Sequence, residues 1–256
     1  MDLSYWWLFP TAIVIASFAM TVGVGGPVFF SPIYILILQL PPPTAFGTAL
    51  ITQLFGFASG VYGYQRQNMI DYRMSSKLLI TAIPAAIIGV LVSNQVNHNI
   101  LNAIFGGWVV FSGIVLCLTA GRERENTEDS TPNKKLRMWC GLFLSALGGC
   151  MVGMTSTGMG NLLVPWMNVL EHVPIRKTVA TCVFTIFITV SVSAVCYLFL
   201  TPVDYTILMF TIPGVLVGGQ IGPWISNKLD SVKLKLFMSV VFILVGLIML
   251  HAAFFK

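Results

Sequence analysis

Two short stretches of this chain combine residue types that bind a ligand more readily than they build a core. One reads Gly23-Val24-Gly25-Gly26-Pro27 and the other Thr155-Ser156-Thr157-Gly158-Met159-Gly160-Asn161, each leading into a short apolar run. Glycine lets the backbone approach a ligand closely, and successive N–H groups form a concave nest suited to an anion. The first turn of a helix adds unpaired N–H groups and a partial positive charge. Pro27 fits a first helical position, where no N–H partner is needed. Ser156, Thr157 and Asn161 add hydroxyl and amide donors. Gly25, Gly26 and Gly158 are therefore expected to help hold a small anion. The competing use of glycine in an apolar chain is close helix packing; its recurrence at matched positions favours binding.

Further polar residues lie inside apolar runs. Thr48, Thr52 and Gln53 sit near the start of one predicted helix, and Thr181 and Thr185 near the start of another. Residues four apart share a helix face, so each threonine pair either lines a path or bonds back to the preceding turn. Gln220, beside Gly218 and Gly219, calls for a partner from a ligand or another helix. No Asp, Glu, Lys or Arg falls clearly at the middle of an apolar run, so backbone amides and neutral side chains must do the binding. Glu171 and His172 end a short run and are the candidates for proton coupling, against a plainer reading as an interfacial pair near Arg176 and Lys177. Asp71 and Asp204 read as helix N-caps. The three histidines, His98, His172 and His251, show no metal-ligand or HExxH spacing. No cofactor, metal or nucleic acid is called for, a membrane-embedded enzyme is disfavoured, and oligomeric state is not legible.

Composition sets the environment of these residues. Of the 256 residues 56% are hydrophobic and 9% charged, with a mean hydropathy of +0.86. Soluble domains carry about 25% charged residues, so this surface must face a lipid bilayer. Apolar segments are predicted at 5–24, 27–40, 44–65, 74–96 and 99–119, and again at 138–157, 160–172, 176–200, 205–227 and 232–254. The fold class is thus an all-α polytopic membrane protein of about ten segments. No basic residue precedes the first segment, which is expected to be a retained helix and not a signal peptide. Five cysteines without CxxC spacing argue against a disulfide framework. The six tryptophans read mostly as interface anchors near segment ends.

Adding 133 to a residue number maps one half onto the other without a gap from Gly25 to Leu118. Gly25 meets Gly158, Pro32 meets Pro165, Thr48 meets Thr181, Thr52 meets Thr185, and Asp71-Tyr72 meets Asp204-Tyr205. The chain reads as a duplicated unit: 1–120 and 138–256 as two transmembrane repeats, with 121–137 as a cytoplasmic linker. With five crossings per half, 13 of the 14 Lys and Arg residues fall on one side, leaving only Lys256 opposite. Basic residues stay cytoplasmic, so both termini are expected outside. The basic loop at Asp71 answers an uncharged one at Asp204, and the uncharged loop at Asn97 answers a basic one at Asp230. Equivalent loops therefore lie on opposite sides, as in an inverted repeat. Secondary carriers use this plan and place substrate near the midplane, at paired short, Gly-interrupted segments.

The residues now show a family likeness. The chain resembles the sulfite exporter TauE/SafE family of membrane permeases over nearly its whole length. The likeness rests on Gly25-Gly26 through Pro32 and its copy Gly158 through Pro165. Pro43 with Ala45, Gly47 and Thr48, Pro174 with Ala180 and Thr181, and Ile70-Asp71-Tyr72 add to it. What it implies is export or exchange of small sulfur-containing anions such as sulfite or organosulfonates across the cell (inner) membrane. The family's first joint often carries a longer glycine run; here Pro27 follows Gly26 directly, and Met159 separates Gly158 from Gly160. A passive anion channel is the alternative, distinguished by currents above carrier turnover.

Overall fold

The computed structural model describes residues 5–22, 26–119, 134–225 and 231–255. Gly23 to Gly25, the linker up to residue 133 and the Asp230 loop lie outside the described residues. Ten helices are described, with no strand among the described residues. They are α1 Leu8–Val22, α2 Pro27–Pro32, α3 Pro42–Arg66, α4 Tyr72–Ser93, α5 His98–Thr119, α6 Lys134–Thr155, α7 Met159–Pro165, α8 Ile175–Leu200, α9 Tyr205–Ile225 and α10 Ser231–Phe255. Seven are long and apolar enough to cross a membrane, and α3 is the most enclosed of these. Large apolar side chains point outward: Phe199 is 85% exposed and Phe254 75%. An outer surface of this kind is stable in hydrocarbon and not in water.

Local chemistry explains the element boundaries. Helix α3 starts two residues earlier than the apolar run suggests, because prolines occupy its first positions, where a missing N–H costs nothing. Helix α6 starts at Lys134, so the polar stretch expected to run to Arg137 gives up its last residues to helix. The Asp71 carboxylate accepts the Met74 N–H at 3.0 Å, and that of Asp204 accepts from Thr206 at 2.9 Å and from Ile207 at 3.3 Å. Both are the N-caps expected.

The two short helices end alike. Each meets an internal proline, Pro32 or Pro165, and passes into a π-helical turn, Ile33–Ile37 or Trp166–Leu170. Each turn closes on a left-handed residue, Gln39 at φ 54° and His172 at φ 54°. The Leu40 N–H donates to the Tyr34 carbonyl at 3.0 Å, and the Val173 N–H to that of Met167 at 3.0 Å. All these pairs stand 133 residues apart. At about 1.5 Å per residue neither broken helix reaches across the roughly 30 Å hydrocarbon core.

Helix packing crosses between the halves. Helices α4 and α6 run parallel: Ser145 Oγ donates to the Leu78 carbonyl at 2.8 Å, and Gly149 and Gly153 lie against the carbonyls of Ala82 and Ala86. Helices α1 and α9 do the same, with Gly214, Gly218 and Gly222 on the carbonyls of Phe9, Ile13 and Ser17. Small residues here let backbones meet where lipid supplies no hydrophobic drive. Helices α5 and α10 are antiparallel, Gly106 meeting Gly246 while Gly113 meets Ser239. All five cysteines are free.

Candidate functional site

The second Gly-rich stretch is where the chain leaves α6 and enters α7. Ser156 turns left-handed at φ 64° and Gly158 lies at φ 125°. An L side chain at Gly158 would be strained, and its Cβ would overlap the Trp108 indole nitrogen. Trp108 comes from the other half, at the middle of α5. Non-glycine residues in left-handed backbone cost energy and cluster at functional sites. Ser156 is anchored, its hydroxyl donating to the Phe46 carbonyl at 2.7 Å.

Around this turn sit polar atoms with nothing to bond. Thr157 is 1% exposed and Asn161 2%. The Thr157 hydroxyl, both amide atoms of Asn161 and the Trp108 indole nitrogen are all buried without a hydrogen-bond partner. Such atoms each cost roughly 1–3 kcal/mol. Several together at a broken helix mark a place where something else supplies the partners. None of the buried polar residues among the described residues is charged, so the cluster is neutral and rich in donors.

The other expected residues have different surroundings. Gly25 is outside the described residues; Gly26 caps α2 through its carbonyl, which accepts from Phe29 at 3.0 Å. Thr48 and Thr181 tie the halves reciprocally. Thr48 Oγ1 accepts the Asp204 N–H at 3.3 Å, and Thr181 Oγ1 accepts that of Asp71 at 3.0 Å. Thr52 lies 3.3 Å from the Tyr34 hydroxyl and 3.1 Å from that of Thr211. Thr185 donates to the Thr181 carbonyl at 2.8 Å and to Ser75 at 3.0 Å. Gln53 is buried, with Oε1 unpartnered. Glu171 pairs with Arg137 at 3.9 Å, and Arg137 also donates to the Leu170 carbonyl at 2.8 Å. His172 occupies the left-handed cap, its Nδ1 buried without a partner. Gln220 is exposed and donates to the Ser59 carbonyl at 2.9 Å, so it joins α9 to α3.

Trp108, expected among the interface anchors, lies instead at the middle of α5 against Gly158. Its position in the middle of a predicted segment was the available signal. Trp166 also departs from that reading: it is buried against Gly141.

An all-helical chain with seven membrane-length apolar spans is a multi-pass membrane protein, and comparison with known proteins makes it a membrane transporter. The family described as "Sulfite exporter TauE/SafE" matches residues 8–249. Three Bacillus subtilis (strain 168) proteins are similar. One named "Probable membrane transporter protein YunE" is 25% identical over 92% of this chain and 93% of its own. "Probable membrane transporter protein YjnA" is 30% identical over 80% of this chain and 85% of its own. "Probable membrane transporter protein YdhB" is 22% identical over 84% and 87%. No solved structure matches. The chain belongs to the sulfite exporter TauE/SafE family.

Proposed function

We propose that this transporter is a secondary carrier that exports or exchanges small sulfur-containing anions, sulfite or small organosulfonates, by alternating access. The anion site lies between two inverted repeats, 1–120 and 138–256, and is centred on Thr157, Gly158, Asn161 and Trp108. The observation that carries this is the neutral, donor-rich group of buried atoms without partners at the turn between α6 and α7. An oxyanion has several acceptor oxygens and fits such a group. Neutral donors suit a ligand that must leave again, because no buried countercharge traps it. The family's name supplies the sulfur chemistry.

The inverted arrangement is supported by the antiparallel pairing of α5 with α10, which correspond under the 133-residue offset. A two-fold axis lying in the membrane plane relates helices in this way. The reciprocal bonds of Thr48 to Asp204 and Thr181 to Asp71 follow the same symmetry. In this reading the protein lies in the cell (inner) membrane with both termini outside and the linker in the cytoplasm. Single cysteines at Asn97 and Asp230, in a variant lacking the five native ones, are expected to label from outside and inside respectively. Labelling of both from one side removes the inverted repeat and the rocking mechanism built on it.

The test of function is uptake of radiolabelled sulfite by proteoliposomes preloaded with unlabelled sulfite. Saturable counterflow is expected, and an electrical current far above that flux would indicate a channel. Absence of counterflow for sulfite and for a small sulfonate removes the substrate class.

A further inference from the structure

The polar atoms at the second joint specify more than negative charge. The Asn161 side chain brings an amide N–H2, which donates, and a carbonyl oxygen, which only accepts. Both are buried and unpartnered, so the point holds whichever way the amide is turned. Thr157 Oγ1 and Trp108 Nε1 add two more donors without partners. A fully deprotonated oxyanion would satisfy the donors and leave the Asn161 oxygen facing another acceptor. A ligand carrying both acceptor oxygens and one hydroxyl satisfies every atom.

Charge leads to the same ligand. The Born cost of burial grows as the square of the charge, so a dianion costs about four times as much as a monoanion of equal size. No charged residue is buried among the described residues to offset it. A site built from neutral dipoles therefore selects the singly charged form.

We infer that the joint takes sulfite as its singly protonated monoanion, hydrogen sulfite, in place of the dianion, and that it holds a sulfonate, which lacks the hydroxyl, more weakly. The hydrogen sulfite O–H donates to the Asn161 carbonyl oxygen, and its remaining oxygens accept from Asn161 Nδ2, Thr157 Oγ1 and Trp108 Nε1. The inference rests on the anion-carrier reading and deepens it: the proton crosses the membrane on the substrate, and no side chain needs to relay it. That answers the lack of an intramembrane carboxylate, which proton-coupled carriers commonly use.

The groups able to titrate near the site are few. Helix α7 packs against α5, α6 and α8. Within the spans these carry Tyr197, bonded to Ser93 at 2.7 Å, and the cysteines, of which Cys182 lies 3.6 Å from Met167 Sδ. Their charged and imidazole groups stand at the helix ends: His98 on α5, Lys134, Lys135 and Arg137 on α6, and Arg176 and Lys177 on α8. Glu171 and His172 follow the π-helical turn after α7.

The test is the initial rate of sulfite counterflow at several pH values spanning sulfite's second ionisation, with equal pH inside and outside the vesicles. Above that ionisation the KM for total sulfite is expected to rise about tenfold per pH unit, as the monoanion is depleted. Expressed as hydrogen sulfite, KM stays constant. Methanesulfonate is a monoanion throughout this range and has no hydroxyl. Its inhibition constant is expected to be weaker than the KM for hydrogen sulfite and indifferent to pH. A KM for total sulfite that is flat or falls with rising pH overturns the inference while leaving the carrier reading intact. A methanesulfonate constant that moves in parallel with KM places the titration on the protein and overturns it equally. No sulfite counterflow at any pH removes both this inference and the proposed substrate.

Discussion

Asn161→Leu is expected to abolish sulfite counterflow while leaving the purified protein at least as stable as the parent. Both amide atoms of Asn161 are buried without partners in a side chain only 2% exposed. Leucine has nearly the same size and no polar atoms. Substitution therefore removes a desolvation cost of roughly 1–3 kcal/mol and takes from the substrate both a donor and an acceptor. Losing hydrogen bonds to a charged ligand, each about 1.5–3 kcal/mol, weakens binding by roughly a hundredfold or more, since about 1.4 kcal/mol is a factor of ten. Thr157→Val should act in the same direction with a smaller effect, because it removes one hydroxyl. The measurement pairs counterflow kinetics with a thermal melt in detergent. A residue that merely packs would lose stability and activity together. If Asn161→Leu melts well below the parent, or transports at its rate, Asn161 is not a substrate ligand.

The second large effect concerns assembly. Gly153→Leu is expected to prevent α4 and α6 from docking, with a loss of roughly 1–3 kcal/mol or more. A Cβ at Gly153 would overlap the Ala86 carbonyl oxygen. The obstacle is backbone, so no rotamer change relieves it. The whole parallel seam, from Ser145 on Leu78 to Gly153 on Ala86, would have to open. Gly107 is the control: nothing lies within 4 Å of a Cβ built there, and Gly107→Leu should melt with the parent. Size-exclusion profiles after heating would separate the two variants. Equal melting temperatures for Gly153→Leu and the parent would show that α4 and α6 do not meet in this register.

The halves share a backbone plan but differ in the polar side chains at their joints. At the places of Thr157 and Asn161 the first half has Val24 and Val28, and at the place of Trp108 the second half has Val241. Thr157, Asn161 and Trp108 therefore have no polar counterparts, while the first broken helix carries Ser31, whose buried hydroxyl is also without a partner. The threonine hydroxyls have protein partners in this structure. Thr48 and Thr181 hold the starts of α9 and α4, and the hydroxyls of Thr181 and Thr185 bond back one turn at 2.7 and 2.8 Å. Among the described residues Glu171 pairs with Arg137 at 3.9 Å and not with Arg176 or Lys177.

Much of this architecture is written along the chain because membrane insertion is a local physical problem. A bilayer requires long apolar runs with breaks at Gly and Pro, and these are legible without knowing what touches what. The matched breaks were legible for the same reason: Pro32 and Pro165 each lead a short helix into a π-helical turn. Tertiary structure alone decided which polar atoms were left over. A hydroxyl or amide in the sequence is equally able to cap a helix, bond back a turn, tie two helices together or wait for a ligand. The choice depends on partners more than a hundred residues away, as with Thr181 and the Asp71 N–H. It likewise took the packing of α5 on α7 to bring Trp108 against Gly158, since an indole in an apolar segment carries no mark of what its N–H will face.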